Sequence, residues 1–319
     1  MSRLLTMGIP GGFNPRRIAG CKLWFAANRG TLYKYSGNAN GNVAGAADNG
    51  AGLIRIMTAA PTAVETHDEV IIAAVGGTTE ANGTWPITYV DATHFDLEGS
   101  AFANTYTSGG TWNANGMLAT IDGAFIGKVA DLSGQGNHAT QATRANQPRR
   151  YNSIVNGQPV VRFDGVNDIL NSVLTLAQPM TIFHVYKWTD NAAAIQAVYG
   201  GATTGLLEAY HANATSLFTH AGTSYSPAGG ATSSAFRVID CIFNGTSSQI
   251  WENGTQIGAT GNAGTNGIAT AFSIGNRNAA DKPTQMDLAE LIVYNTALST
   301  SNRRKVERYL GRRYGITVV

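Results

Sequence analysis

Apolar and polar positions alternate along most of this chain in short runs set off by turn signals. Thr181 to Trp188 (TIFHVYKW) puts Thr181, Phe183, Val185 and Lys187 on one face and Ile182, His184, Tyr186 and Trp188 on the other, which predicts a strand. Cys21 to Ala27 reads the same way. Leu23 and Phe25 share a face with Cys21 beside them, and Trp24 lies opposite. Trp24 is core if that opposite face is covered and a stacking platform for a sugar if it is not. Pro159 to Phe163 is a short strand between the turns Asn156-Gly157 and Asp164-Gly165. Ala194 to Tyr199, Leu206 to His211 and Ser216 to His220 follow as shorter strands. Phe236 to Phe243 and Gln249 to Glu252 form a hairpin, and Asn253-Gly254 turns into Thr255 to Ala259. This up-and-down rhythm predicts a β-sandwich.

Two stretches break the rhythm. Asn28 to Gly50 reads as a long Gly/Ala/Asn loop. Beyond it, four short strands crowd together: Gly52 to Ala59, Glu69 to Val75, Trp85 to Asp91 and His94 to Glu98. They predict a small closed β-domain. Leu298 to Tyr314 is the one segment with helical spacing, through Val306, Tyr309, Leu310 and Tyr314. Ser299 caps it and Gly315 stops it. Arg303, Arg304, Lys305, Arg308, Arg312 and Arg313 are expected on its outer face.

Asp131 to Gln141 (DxSGxGNHATQ) and Asn156 to Leu170 (NGxPxVRFDGxxDxL) resemble the laminin-G-like, concanavalin-A-like jelly-roll modules of phage and bacterial surface proteins. Ile18 to Phe25 fits that family's first strand. Phe272 to Gly275, Asp287 to Tyr294 and the closing helix fit its end. The resemblance covers most of 14–48 and 116–319 and implies fold more than ligand. A second resemblance runs from Ile54 to Trp112, through GGTTEANGTWPITYVDATHFDLEGSAF and TSGGTW. It is to a small β-module related to the first catalytic cysteine half-domain of ubiquitin-activating enzymes, a module that recurs in tailed-phage structural proteins. This copy has no cysteine, so thioester chemistry is not implied. Together the two resemblances imply an all-β protein: a jelly-roll sandwich over 17–48 and 116–319, a small barrel-like domain inserted at 49–115, and one C-terminal helix. Residues 1–16, with Gly11-Gly12 and two prolines, read as an N-terminal arm.

Composition narrows the function classes. Only 13% of the 319 residues are charged, the formal net charge is +2, and 38 glycines sit among abundant small polar residues. A surface of that kind is polar yet weakly charged, which argues against disorder and gives no electrostatic case for nucleic acid. Cys21 and Cys241 are expected as buried thiols. MSRLLTMGIPGG lacks a signal-peptide pattern, and no apolar run reaches membrane-spanning length. The expectation is a protein made in a host cytoplasm and carried by a virion, with other virion proteins as partners, as a homo-oligomer.

Candidate chemistry is sparse. Asp96 and Glu98 have the i, i+2 spacing of a glycosidase pair but lie in the inserted module. Asp287 and Glu290, three apart, point to opposite faces of a regular strand. The histidines His67, His94, His138, His184, His211 and His220 form no metal pattern, and His184 reads as a hydrogen-bonded core residue. Asp164, Asn167 and Asp168 offer the beginnings of a calcium site or an Asx turn. No cofactor or metal is expected. Ligand contact is expected in the loops Gly200 to Gly205, Tyr210 to Asn213, Gly222 to Gly229 and Gly275 to Lys282, with Tyr210, Tyr225, Asn276 and Arg277 supplying the aromatic and hydrogen-bonding groups that sugars need. These readings favour a non-enzymatic virion structural and adhesion protein of a tailed phage that touches host surface polysaccharide. A polysaccharide depolymerase or a bacterial surface lectin is the alternative.

Overall fold

A computed structural model describes residues 13–29, 31–35, 39–62, 64–66, 68–114, 117–189, 195–201, 207–213, 216–227, 235–269, 271–277 and 281–319. The protein is nearly all β, with two large sheets, a closed six-stranded barrel and, among the described residues, one α-helix. It divides into two compact units: Met1–Leu32, Thr120–Gln141 and Ala145–Val319 in one, Tyr33–Ala119 and Ala142–Arg144 in the other.

The first unit is a sandwich. Its eight-stranded sheet runs Arg149–Val155, Gln158–Asp164, Gln285–Tyr294, Met180–Trp188, Arg237–Phe243, Gln249–Glu252, Thr255–Gln256, and Cys21–Ala26 also pairs with Gln285–Tyr294. Its nine-stranded sheet runs Ser224–Tyr225, Ser216–His220, Glu208–Asn213, Gln196–Gly201, Phe272–Ile274, Leu170–Ser172, Ala139–Thr140, Lys128–Val129, Leu32–Tyr33. The two inner faces meet. Trp188 stacks on His211 with centroids 4.1 Å apart, and His184 meets the Tyr199 ring edge-on.

Gln285–Tyr294 lies at the middle of the eight-stranded sheet, and every residue from Met286 onward is buried. It is covered on one face by the other sheet and on the opposite face by the helix Thr300–Tyr314. Val306, Tyr309, Leu310 and Tyr314 pack there against Trp24, Phe183, Val185, Ile292 and Tyr294. Trp24 is therefore core. Ser299 Oγ caps the helix by accepting from Asn302 N–H, and Gly315 ends it in the left-handed conformation.

Charge is buried in this layer and paired with opposite charge. Glu290 Oε1 accepts from Trp24 Nε1–H (2.6 Å) and Tyr309 O–H (2.9 Å), and Oε2 accepts from Tyr314 O–H (2.8 Å) with Arg313 3.3 Å away. Arg303 sits between Asp240 and Glu307 with its guanidinium 3.4 Å from the centre of the Trp251 ring. Burial and the neighbouring Glu307 push the Asp240 carboxyl well above its ordinary pKa. Arg303 and Arg313 thus leave the expected basic outer face, because inward carboxylates claim them, while Arg304, Lys305, Arg308 and Arg312 remain exposed.

The DxSGxGNH stretch is a carboxylate-centred turn. Asp131 accepts from Trp24 N–H, Ser133 N–H, Ser133 Oγ–H and Asn137 N–H, and Asn137 Nδ2 donates to Lys22 O. It ties the loop to the first strand. The two cysteines are buried and unbridged, and burial pushes each thiol up to about 12.

In the second unit the barrel order is Asn40–Asp48, Ile54–Thr58, His94–Leu97, Gly83–Asp91, Glu69–Ala73, Thr111–Asn113. Its core gathers Val43, Ile54, Ile56, Val70, Ile72, Ile87, Phe95 and Trp112. The expected long loop is wrong here: Asn40–Asp48 is a nine-residue strand that pairs with Ile54–Thr58 and Thr111–Asn113. Only Val43 in it is fully buried, so its small side chains carry almost no alternation. Residues 1–12 of the expected arm lie outside the described residues, and Pro15–Arg17 is a turn of 3-10 helix.

Glu290→Ala is expected to cost about 3–5 kcal/mol, because it strands three buried donors and the Arg313 guanidinium. Denaturant unfolding of the variant against the parent checks this.

Candidate functional site

With the eight-stranded sheet covered by the helix, attention falls on the outward face of the nine-stranded sheet. Cross-strand pairing defines one row across eight of its strands: Lys128, Thr140, Asn171, Ser273, Gly200, Glu208, His220 and Ser224. No member of this row has an apolar side chain. Alternate residues, including Tyr199, Ala209, His211 and Ile274, turn inward to the core. The row is tied by Ser273 Oγ–H to Asn171 Oδ1 (2.8 Å) and by a contact between His220 Nδ1 and Ser224 Oγ (3.1 Å).

A second row on the same face adds aromatic surface. Tyr210 pairs with Phe218, and their rings stack at 5.2 Å and 14°. The Lys282 ammonium sits 4.8 Å from the Tyr210 ring centre and 2.7 Å from Glu208 Oε1. Arg277 lies 4.0 Å from Glu208 and forks onto Asp281. Hydrogen bonding to Asp281 raises the Arg277 pKa further, against the opposing effect of its own burial. Asn276 Oδ1 accepts from Arg277 N–H (2.8 Å) and Lys282 N–H (3.0 Å), which shapes this turn. Gly275 precedes it at φ +83°, and a Cβ there would strike the Phe163 ring.

Of the residues expected to bind ligand, the structure brings Tyr210, Asn276 and Arg277 together around Glu208 and Lys282. Tyr210 is on the strand Glu208–Asn213 rather than in a loop. Tyr225 does not join them. It pairs with Thr219 on the inward-facing side, its hydroxyl donates to Ala259 O, and its ring packs on Gly261. All four are largely buried, with Tyr210 and Tyr225 each 8% exposed. Parts of the expected loops (202–205, 228–229 and 278–280) lie outside the described residues. Lys282 ends one of the expected loops, whereas Glu208, Phe218 and the polar row are not among the expected residues. The alternation of Glu208 with Tyr210 was the available signal.

The other candidates resolve differently. Asp96 forks onto Arg55 (2.7 and 3.0 Å), while Glu98 accepts from Thr88, so the two carboxylates serve separate partners. Asp287 and Glu290 do not follow the regular-strand expectation. The register jumps at Ala289 between the Val185–Glu290 and Tyr186–Leu288 pairs, and this bulge turns both carboxylates to the helix side of the sheet. Asp287 forks there onto Arg162 (2.6 and 2.9 Å). His184 is core but lacks its expected bond: among the described residues neither ring nitrogen has a partner, and burial lowers its pKa to about 3, so it stays neutral. His67 lies outside the described residues, and among those described no three His, Cys, Asp or Glu cluster as metal ligands. Asp164 Oδ1 accepts from Val166 N–H and Asn167 N–H, an Asx turn, and Asp168 Oδ2 accepts from Asp164 N–H. Burial, with the charge of Asp164, raises Asp168 to about 7.

No protein-family model matches this chain, and no curated protein matches it. Among solved structures it is similar to a Trypanosoma rangeli sialidase complex (14% identity over 62% of this chain and 32% of the other, TM-score 0.44). It is also similar to the binding domain of Paraclostridial Mosquitocidal Protein 1 (14%, 59% and 51%, TM-score 0.46). The receptor binding domain of a botulinum neurotoxin mosaic serotype C/D matches at 9%, 57% and 48%, TM-score 0.43. The chain spans about a third to a half of the length of these proteins, and likeness at this level assigns no activity to it.

The raised Asp168 makes a pH prediction. Its contribution to stability is full below about pH 4, where the carboxyl is protonated in both folded and unfolded chains, and is lost as pH rises through about 7. Asp168→Asn keeps an accepting oxygen without the charge. Its unfolding midpoint is expected to gain on the parent's between pH 5 and 8, read from denaturant curves at both values.

Proposed function

We propose that this protein is a non-enzymatic structural and adhesion component of a tailed-phage virion, and that it contacts host surface polysaccharide through the outward face of its nine-stranded sheet. The polar row from Lys128 to Ser224 carries this reading, through Lys128, Thr140, Asn171, His220 and Ser224, which reach solvent, while Ser273, Gly200 and Glu208 at its middle are buried beneath their neighbours. Carbohydrates present hydroxyls and weakly apolar ring faces, and amide, hydroxyl and ion-paired side chains beside stacked aromatics complement both. Lys282 and Arg277 there are balanced by Glu208 and Asp281, so this part of the surface suits a neutral or weakly charged glycan.

The virion assignment rests on the sequence resemblance of Ile54 to Trp112 and on the weakly charged composition. The non-enzymatic reading is supported by the state of the carboxylates. Asp96, Asp287, Glu290 and Glu208 are each held by cations or hydroxyl donors, whereas glycoside hydrolysis needs two free to act on one bond.

Two measurements test the proposal. On a glycan array the intact chain is expected to bind a surface polysaccharide, and Tyr210→Ala is expected to weaken that binding roughly tenfold, about 1.4 kcal/mol. Phe218→Ala, which removes the other ring of the stack at a less buried position, is expected to weaken binding as well while leaving the denaturant unfolding curve near the parent's, and incubation with the bound polymer is expected to release no reducing ends. Absence of the protein from purified particles, or release of reducing ends, would overturn the reading.

A further inference from the structure

The barrel unit contains a buried amine and a buried carboxylate in contact, with surroundings that fit chemistry rather than simple pairing. Lys34 is 9% exposed and Asp68 is wholly buried. Lys34 Nζ touches Asp68 Oδ1. Asp68 Oδ2 accepts two further hydrogen bonds, from the Tyr35 hydroxyl and from Glu65 N–H at 2.9 Å. Burial, reinforced by the charge of Asp68, pushes the Tyr35 hydroxyl well above its ordinary pKa, so it remains a donor. The Asp68 backbone is fixed on both sides: its N–H donates to Glu65 O and its carbonyl accepts from Ile87 N–H. A third acid completes the group. Glu65 Oε2 lies 3.9 Å from Lys34 Nζ, and its other oxygen pairs with Arg144.

We propose that Lys34 and Asp68 condense into an intramolecular isopeptide bond. Lys34 Nζ attacks Asp68 Cγ, and negative charge develops on Oδ2. The Tyr35 hydroxyl and the Glu65 N–H already point at that oxygen, which is the arrangement that stabilises a tetrahedral intermediate. The Cγ–Oδ1 bond then breaks. Of the three ammonium protons, one stays on the new amide nitrogen and two leave with Oδ1 as water. The first passes directly across the Nζ–Oδ1 contact. Glu65, with one carboxylate oxygen near the amine and its side chain partly exposed, relays the second. Nothing is oxidised or reduced, and no co-reactant is needed.

The burial supplies the driving force. An ion pair out of water bears a desolvation cost that Coulomb attraction offsets only in part. Condensation replaces both charges with one neutral amide, and fixed neighbours hold the reacting atoms together. The product staples the segment leading into Asn40–Asp48 to the start of Glu69–Ala73, enclosing the strands Asn40–Asp48 and Ile54–Thr58 in a covalent loop.

The experiment is the intact mass of the full chain, purified folded, incubated at neutral pH and denatured for measurement, with a peptide map. The expected result is a mass lower than the sequence mass by one water and a branched peptide joining Lys34 to Asp68. Lys34→Arg, which keeps the ion pair and has no primary amine, is expected at its full sequence mass. A parent chain at full sequence mass with the two peptides separate would overturn the proposal. So would loss of water without the branched peptide, or the same loss in Lys34→Arg.

Discussion

A strand buried on both faces cannot hold an unpaired carboxylate, and Gln285–Tyr294 holds two. Asp287 is met by Arg162 from the neighbouring strand. Glu290 has its partners in a different part of the chain: two tyrosines and an arginine on the C-terminal helix and the indole of the first strand. The helix is thus specified by more than its apolar stripe. Val306, Leu310 and their neighbours supply burial worth about 1.5–3 kcal/mol per large side chain, which favours covering the sheet but fixes no unique position. The hydrogen bonds to Glu290 and the enclosure of Arg303 by Asp240, Glu307 and Trp251 fix it. Buried ionic groups of this kind are costly alone and specific in combination.

That constraint gives the sandwich two unlike outer faces. The helix takes one. On the other, a cross-strand row without an apolar side chain runs beside a stacked aromatic pair. A sheet whose outer face carries amides, hydroxyls and compensated charges has a chemistry suited to ligands rich in hydroxyls. The barrel unit follows a different logic. Its side chains alternate cleanly where strands are half-buried, as in Glu69–Ala73, and its buried Lys34 and Asp68 meet that apolar core through Tyr35.

The strands and the helix were legible where periodicity was strong. Met180–Trp188, Ser216–His220 and Gln249–Glu252 lie within a residue of their predicted bounds, and the Ser299 and Gly315 caps stand as expected. Asn40–Asp48 was illegible because glycine, alanine and asparagine supply little hydrophobic contrast, and its neighbours in the barrel rather than its own pattern make it a strand. The relation between Asp287 and Glu290 was illegible for another reason. A bulge at Ala289 resets the period of two, and nothing local in the sequence announces it. Arg303 and Arg313 looked like surface cations because charge on a helix ordinarily faces water. Only the location of Asp240 and Glu290 on other elements draws them in. The site was partly legible for a similar reason: Tyr210, Asn276 and Arg277 were visible as residue types, but the row beside them exists only once strands distant in sequence are paired.

On the proposed function, the helix-covered sheet is structural and the opposite outer face makes the contact. Amide chemical-shift mapping during titration with a bound oligosaccharide tests it most directly. Shifts are expected in Gln196–Gly201, Glu208–Asn213, Ser216–His220 and Phe272–Ile274, with Thr300–Tyr314 unmoved. Shifts centred on that helix or on the barrel strands, with the nine-stranded sheet silent, would contradict it.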